Sequence, residues 1–112
     1  MRVRTQQYAL NIMQLVSTLP RGYVSDVIGR QLVRCATSVG ANYCAACRAR
    51  SSADFIAKMK IVEEEADESI YWMELLQEGG VARSERLQPL LTEGNEIVAI
   101  VVASIKTKRA QT

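Results

Sequence analysis

The apolar residues of this chain recur in steps of three and four, in four blocks separated by helix-breaking punctuation. Pro20 and Gly22 make the first break, Ser51-Ser52 the second and Gly79-Gly80 the third. Steps of three and four are the signature of helices that each bury one face. No stretch combines apolar–polar alternation with β-branched residues, so strands are not expected.

The first block reads Tyr8, Ile12, Leu15, Leu19 and predicts a helix from about Thr5 to Thr18, stopped by Pro20. The second reads Val24, Ile28, Leu32, Cys35, Val39, Ala46 and predicts a helix from about Ser25 to Ala49. Gly29 and Gly40 lie inside it, each at a cost of up to ~1 kcal/mol relative to alanine, and are expected to admit a close helix neighbour. The third, Phe55, Met59, Val62, Ala66, Ile70, Met73, Leu76, starts at Ser51 with Asp54 in a capping-box arrangement and stops at Gly79-Gly80. The fourth opens at Ser84 and reads Leu87, Leu90, Ile97, Val101, Ile105, with Pro89 near its first turn. Lys106, Lys108 and Arg109 at its C-terminal end suit the helix dipole. Short connections between four helices predict one all-α domain over residues 1–112, an antiparallel up-down-up-down four-helix bundle.

Composition narrows the function. Among 112 residues there is no histidine. That removes the usual general base, the imidazole-dependent triads and the commonest metal ligand. Cys44-Ala45-Ala46-Cys47 is a CxxC, but a zinc site normally takes four ligands and no second pair exists. A redox CxxC opens a helix in a βαβ setting, which is missing here, so the cysteines are read as small core-filling residues. Glu64, Glu65 and Glu68 have the spacing of carboxylates in helix-bundle metal sites, without the Glu-x-x-His partners of the di-iron type. The expectation is a protein that is not an enzyme and holds no metal or cofactor. Met1-Arg2-Val3-Arg4 leads into a mixed polar segment with no signal-like apolar core. The longest apolar run, Ile97 to Ala103, is seven residues, where a span needs about 20. With an odd cysteine count, these features point to a cytoplasmic chain with no membrane partner.

That run is apolar around the whole helix circumference, whereas a bundle helix needs only one apolar stripe. Ile97, Val98, Ile100, Val101 and Val102 are therefore expected to form a subunit interface. On the second helix Gln31, Cys35, Ser38 and Asn42 share a face. Folding helices two and three as a hairpin about residues 51–52 sets Ser38 level with Glu65, Arg34 near Glu68 and Arg30 near Glu74. Gln31, Arg34, Ser38, Asn42, Glu65 and Glu68 then form an inter-helix polar seam, read chiefly as hydrogen bonds that fix register.

Charge divides sharply by segment. Residues 1–62 carry nine basic and two acidic side chains, residues 63–78 seven acidic and none basic, and residues 79–112 five basic and three acidic. Arg48, Arg50, Lys58 and Lys60 cluster round the turn between helices two and three, and Arg2 and Arg4 stand alone near the N-terminus. These six are the candidate contacts to nucleic-acid phosphates.

Gln31-Leu32-Val33-Arg34-Cys35-Ala36-Thr37-Ser38-Val39-Gly40-Ala41-Asn42-Tyr43 resembles the pattern QLxRSAxSIxANI. Asp54-Phe55-Ile56-Ala57-Lys58-Met59 and Glu65-Ala66-Asp67-Glu68-Ser69-Ile70-Tyr71-Trp72-Met73 resemble DFIxKL and EAxExxYWL. From about Tyr8 to Ile105 the chain looks like the four-helix bundle proteins encoded by intervening sequences of bacterial 23S ribosomal RNA genes. Those are similar in turn to the accessory proteins of diversity-generating retroelements. The resemblance implies a homo-oligomer, in the form of a ring-like homopentamer, and, for the retroelement relatives, binding of nucleic acid (RNA or DNA) and of a reverse transcriptase through a basic surface. It carries no catalytic motif. Ala45 stands where the family often has glutamate, so any role of that carboxylate is absent here. The alternative function is a structural oligomer or protein-binding accessory factor without nucleic-acid affinity.

Overall fold

The computed structural model describes residues 1–111. They form four helices, α1 (Arg2–Ser17), α2 (Tyr23–Cys47), α3 (Ser52–Glu78) and α4 (Ser84–Gln111), and contain no strand. The bundle measures 48 × 20 × 19 Å. Its pairings run α1–α2, α2–α3, α3–α4 and α4–α1, with neither diagonal in close backbone contact. This is the antiparallel up-down-up-down arrangement that the block pattern predicts.

Local chemistry sets the boundaries. α1 begins three residues before the expected Thr5, because the Met1 carbonyl accepts the Thr5 N–H (2.8 Å) and the Thr5 hydroxyl donates to the Arg2 carbonyl (3.1 Å). Ser51 caps α3 by accepting the Asp54 N–H at 3.1 Å. α3 ends in a Schellman motif: the Val81 N–H reaches the Leu76 carbonyl (2.9 Å), the Gly80 N–H reaches Gln77 (3.1 Å), and Gly80 takes a φ of +71°. α4 runs through Pro89, whose missing donor falls in an exposed early turn.

The core contains the periodic positions: Tyr8, Ile12 and Leu15 from α1, Leu32 and Val39 from α2, Met59, Val62, Met73 and Leu76 from α3, and Leu87, Ile97 and Val101 from α4. Val24 departs from its expected core place and is exposed. The register set by Thr5 against Gly40 and Val16 against Gly29 puts Ser17 opposite residue 28, so α1 stops before it can cover Val24. Those two contacts also supply the close neighbour expected of Gly29 and Gly40.

α1 is tied across the bundle by Tyr8. Its buried hydroxyl shares a 2.7 Å hydrogen bond with Ser69 of α3, and Ser69 donates to the Ala66 carbonyl at 2.6 Å. Burial pushes the Tyr8 phenol up to about 12, so it stays protonated. Gly94 of α4 makes room: a Cβ there would lie 2.8 Å from the Tyr8 hydroxyl and 3.0 Å from Ile70 Cγ1.

Two substitutions test this crossing. Gly94→Ala gains helix propensity but overpacks a rigid site, with an expected net loss of about 1–3 kcal/mol in urea unfolding. Tyr8→Phe leaves Ser69 its bond to Ala66 and costs about 1 kcal/mol. The double variant should lose less than the sum of the singles, because the phenylalanine relieves the closest contact; strict additivity would show that Gly94 does not serve the hydroxyl.

Candidate nucleic-acid interface

The antiparallel order gathers the start of α1, the end of α2, the start of α3 and the end of α4 at one end of the bundle. Arg2, Arg48, Arg50, Lys58 and Lys60 all belong to that end, as the sequence groups them. The fold adds Lys106, Lys108 and Arg109 from α4, which the sequence reading assigned only to the helix dipole. Lys108 marks the junction, its ammonium 5.1 Å from the centre of the Phe55 ring on α3. Asp54 is the one acidic residue in segments 1–9, 40–62 and 100–111. It accepts a 2.6 Å bond from Lys58, which holds its carboxyl below the usual range. Arg2, Arg48, Arg50 and Lys60 are exposed and form no ion pair among the described residues.

Arg4 is not the free cation expected. Its guanidinium grips Glu93 of α4 with two bonds, 2.6 and 2.8 Å, and lies 3.5 Å from Glu96. The bidentate pair clasps α1 to α4, the thinnest of the four helix contacts, and withdraws Arg4 from the basic surface.

The polar seam forms in part. Arg34 bridges to α3 through Glu65 (3.2 Å) and Glu68, as the hairpin register predicts, and its Nε donates to Gln31 at 3.3 Å. The Cys35 thiol donates to Glu68 at 3.0 Å, and the Trp72 indole donates to the same oxygen at 3.2 Å. Ser38 and Asn42 do not join them. The Asn42 amide donates back along α2 to the Ser38 carbonyl (2.9 Å) and hydroxyl (2.8 Å). Arg30 turns to the Asp26 carbonyl at 3.3 Å instead of Glu74.

The seam also draws together the one group of three donor residues with a metal-like arrangement among the described residues, Cys35, Glu65 and Glu68, with ligand atoms within 4.8 Å of one another. Its charge is already answered by Arg34. Burial, followed by the hydrogen bond to Glu68, pushes the Cys35 thiol up to about 12, so it stays protonated and donates to Glu68. Glu64 faces solvent. Of the three cysteines, Cys35 alone is buried; Cys44 is half-buried and Cys47 exposed, which corrects their assignment as core-filling residues.

The fourth-helix surface is also revised. Ile97 and Val101 are fully buried inside the bundle and present nothing outward, while Val98, Ile100 and Val102 are half-buried. Small residues, Ala99 and Ala103, take the outer positions. The large exposed apolar side chains lie elsewhere: Val3, Leu10 and Met13 on α1, Tyr23, Val24 and Val27 at the start of α2, and Ile61 and Tyr71 on α3. A signal was present, since residues 5–20 contain no charged side chain at all, although α1 has an outward face. Leu10 and Met13 border a groove of about 370 Å³ between α1 and α2, floored by Gly40 and Ala41. Ile100 and Ala103 border another, of about 460 Å³, with Phe55 between α3 and α4 on the opposite side of the bundle.

Acid should loosen the clasps. Glu93 is held below the ordinary carboxylate range by the bonds from Arg4, and Glu68 by those from Cys35 and Trp72. A depressed carboxylate contributes stability that is present above its unfolded value, 4.5 for glutamate, and lost as the pH falls through the folded one. Glu93→Gln should therefore melt lower than the parent at neutral pH, with the gap narrowing toward about pH 3. A gap that stays constant with pH would mean that the Arg4–Glu93 pair carries no charge-dependent stability.

The family model of the 23S rRNA-intervening sequence protein matches residues 3–103. Among solved structures, a protein of unknown function from the S23 ribosomal protein family of Bacteroides thetaiotaomicron VPI-5482 is similar, with 30% identity and a TM-score of 0.84. The alignment covers 94% of this chain and 97% of that one. No curated protein matches the sequence. With its family model matched over nearly the whole bundle, this chain belongs to the family of 23S rRNA-intervening sequence proteins.

Proposed function

We propose that this protein is a non-enzymatic, homo-oligomeric scaffold whose basic end holds the phosphate backbone of structured RNA. The observation that carries the reading is the convergence of Arg2, Arg48, Arg50, Lys58, Lys60, Lys106, Lys108 and Arg109 from all four helices on one end, against the single acid Asp54. Such a surface favours phosphates without selecting bases, and its affinity comes from counterion release. RNA is favoured over DNA by the family's namesake, an intervening sequence of ribosomal RNA.

Oligomerisation follows from the neutral side of the molecule. A closed ring joins two different faces head to tail. Here the α1/α2 face, where Leu10 and Met13 border a groove whose one charged lining residue is Arg2, lies opposite the α3/α4 face with Ile100 and Ala103. Depletion of charge with a methionine among the contacts is the composition of an interface centre. Of the expected α4 contacts, Ile100 lies on this second face. A pentamer would repeat the basic end five times on one rim, and multivalency would raise its affinity for a long polyanion.

Two measurements test the reading. In fluorescence anisotropy with a labelled structured RNA, binding should be evident near 50 mM salt and weaken steeply toward 200 mM; the Arg48→Glu/Arg50→Glu/Lys60→Glu variant should lower the slope of log affinity against log salt by about three, roughly one per side chain removed. Absence of binding at low salt would leave only the structural or protein-binding oligomer. Light scattering should give a mass near five times 12.4 kDa, falling to the single chain for Leu10→Glu/Met13→Glu. A parent that is itself a 12.4 kDa monomer would overturn the oligomer.

A further inference from the structure

The CxxC at the end of α2 has no place in the fold or in the proposed RNA surface. Cys44 and Cys47 are nonetheless presented together. α2 remains helical through Cys47, so the two thiols are three residues apart on one face. Cys47 is exposed and Cys44 half-buried, at the end of the α1/α2 groove where Arg2 also lies. Arg48 follows directly and Arg50 lies two residues further on.

Distance decides what such a pair can do. Side chains three apart on a helix have Cβ atoms about 5–6 Å apart. A disulfide needs about 3.5–4.5 Å between them, so closing one would strain the last turn. That turn is pinned by the Arg48 N–H to the Ala45 carbonyl (3.1 Å) and the Ala49 N–H to the Ala46 carbonyl (3.0 Å). Two metal–thiolate bonds of roughly 2.3 Å, placed end to end, span about 4.6 Å between sulfurs and fit the helical spacing without unwinding. Zinc would lack half of its usual four ligands within one chain. A soft monovalent ion satisfied by two thiolates has no such deficit.

We propose that Cys44 and Cys47 form a two-coordinate dithiolate site for a soft monovalent cation of the Cu(I) type, one ion per chain. Binding forms two sulfur–metal bonds and releases two thiol protons to solvent, with no change of oxidation state. The loaded site carries one net negative charge, which Arg48 and Arg50 stand ready to offset. Cys35 takes no part, being buried and bonded to Glu68.

The test is an anaerobic titration of the full chain with Cu(I) against a chromogenic Cu(I) chelator. One equivalent should bind per chain, with sulfur-to-copper charge-transfer absorption in the ultraviolet. Cys44→Ser and Cys47→Ser should each weaken binding by at least about a hundredfold, the upper end of what loss of a mere outer-shell partner costs. Circular dichroism should show both variants folded, as expected for side chains outside the core. The proposal is overturned by absence of binding, by binding that survives in the double variant, or by half an equivalent per chain, which would mean one ion held between two copies.

Discussion

The architecture rests on one crossing at the centre of the bundle. α1 is the shortest helix and touches α4 least, yet Tyr8 carries a hydroxyl across the diagonal to Ser69. A buried hydroxyl is costly without a partner, so the Tyr8–Ser69 bond fixes the height and rotation of α1 against α3. Once α1 is set, Thr5 falls over Gly40, Val16 over Gly29, and Arg4 beside Glu93. Gly94 is the permissive half of the same contact: a helix interior gives up propensity there so that a phenol can pass. No buried side-chain polar atom among the described residues is left without a partner, so this polar crossing specifies the fold without an orphaned group.

Charge is organised along the bundle axis, and topology is what organises it. In sequence the positive residues lie at both termini and near the middle, separated by the acidic stretch of α3. Antiparallel folding stacks the termini and the α2–α3 turn on one end, while the acids of α3 occupy its middle and far turns. Arg34 and Arg4 tie the acids Glu65, Glu68 and Glu93 within the subunit, which leaves the basic end with little internal compensation. The same topology leaves α1 with a charge-free flank, so a basic end and an uncharged stretch of surface coexist on one small chain.

What was legible in the sequence was what periodicity and punctuation encode. Four helices, the Ser51 cap, the Gly79-Gly80 stop and the Arg34–Glu68 register follow from local rules and one hairpin. The basic cluster at the α2–α3 turn was visible for the same reason. Partners set by the closing of α1 onto α4 were not. Arg4 looked isolated because Glu93 and Glu96 are about ninety residues away, and Gly94 passed without comment because its reason is a tyrosine from another helix. The apolar run of α4 misled because hydropathy does not say which side of a helix is already covered: Ile97 and Val101 turned inward, and alanines took the outside. The charge-free span of α1 was the better indicator of an unshielded face.

The basic end makes ionic strength act on this molecule in two opposite senses. Eight cations from four helix ends crowd one end of the bundle and repel one another, with Asp54 the one acidic side chain in those segments, paired to Lys58. Screening over a Debye length of about 8 Å at physiological salt relieves that self-repulsion and tightens the bundle. The same screening removes the counterion gain that draws a polyanion to the surface. If the basic end holds RNA as proposed, the bound phosphates supply negative charge to the same surface that salt screens, so RNA and salt would act alike on the bundle and against one another in binding.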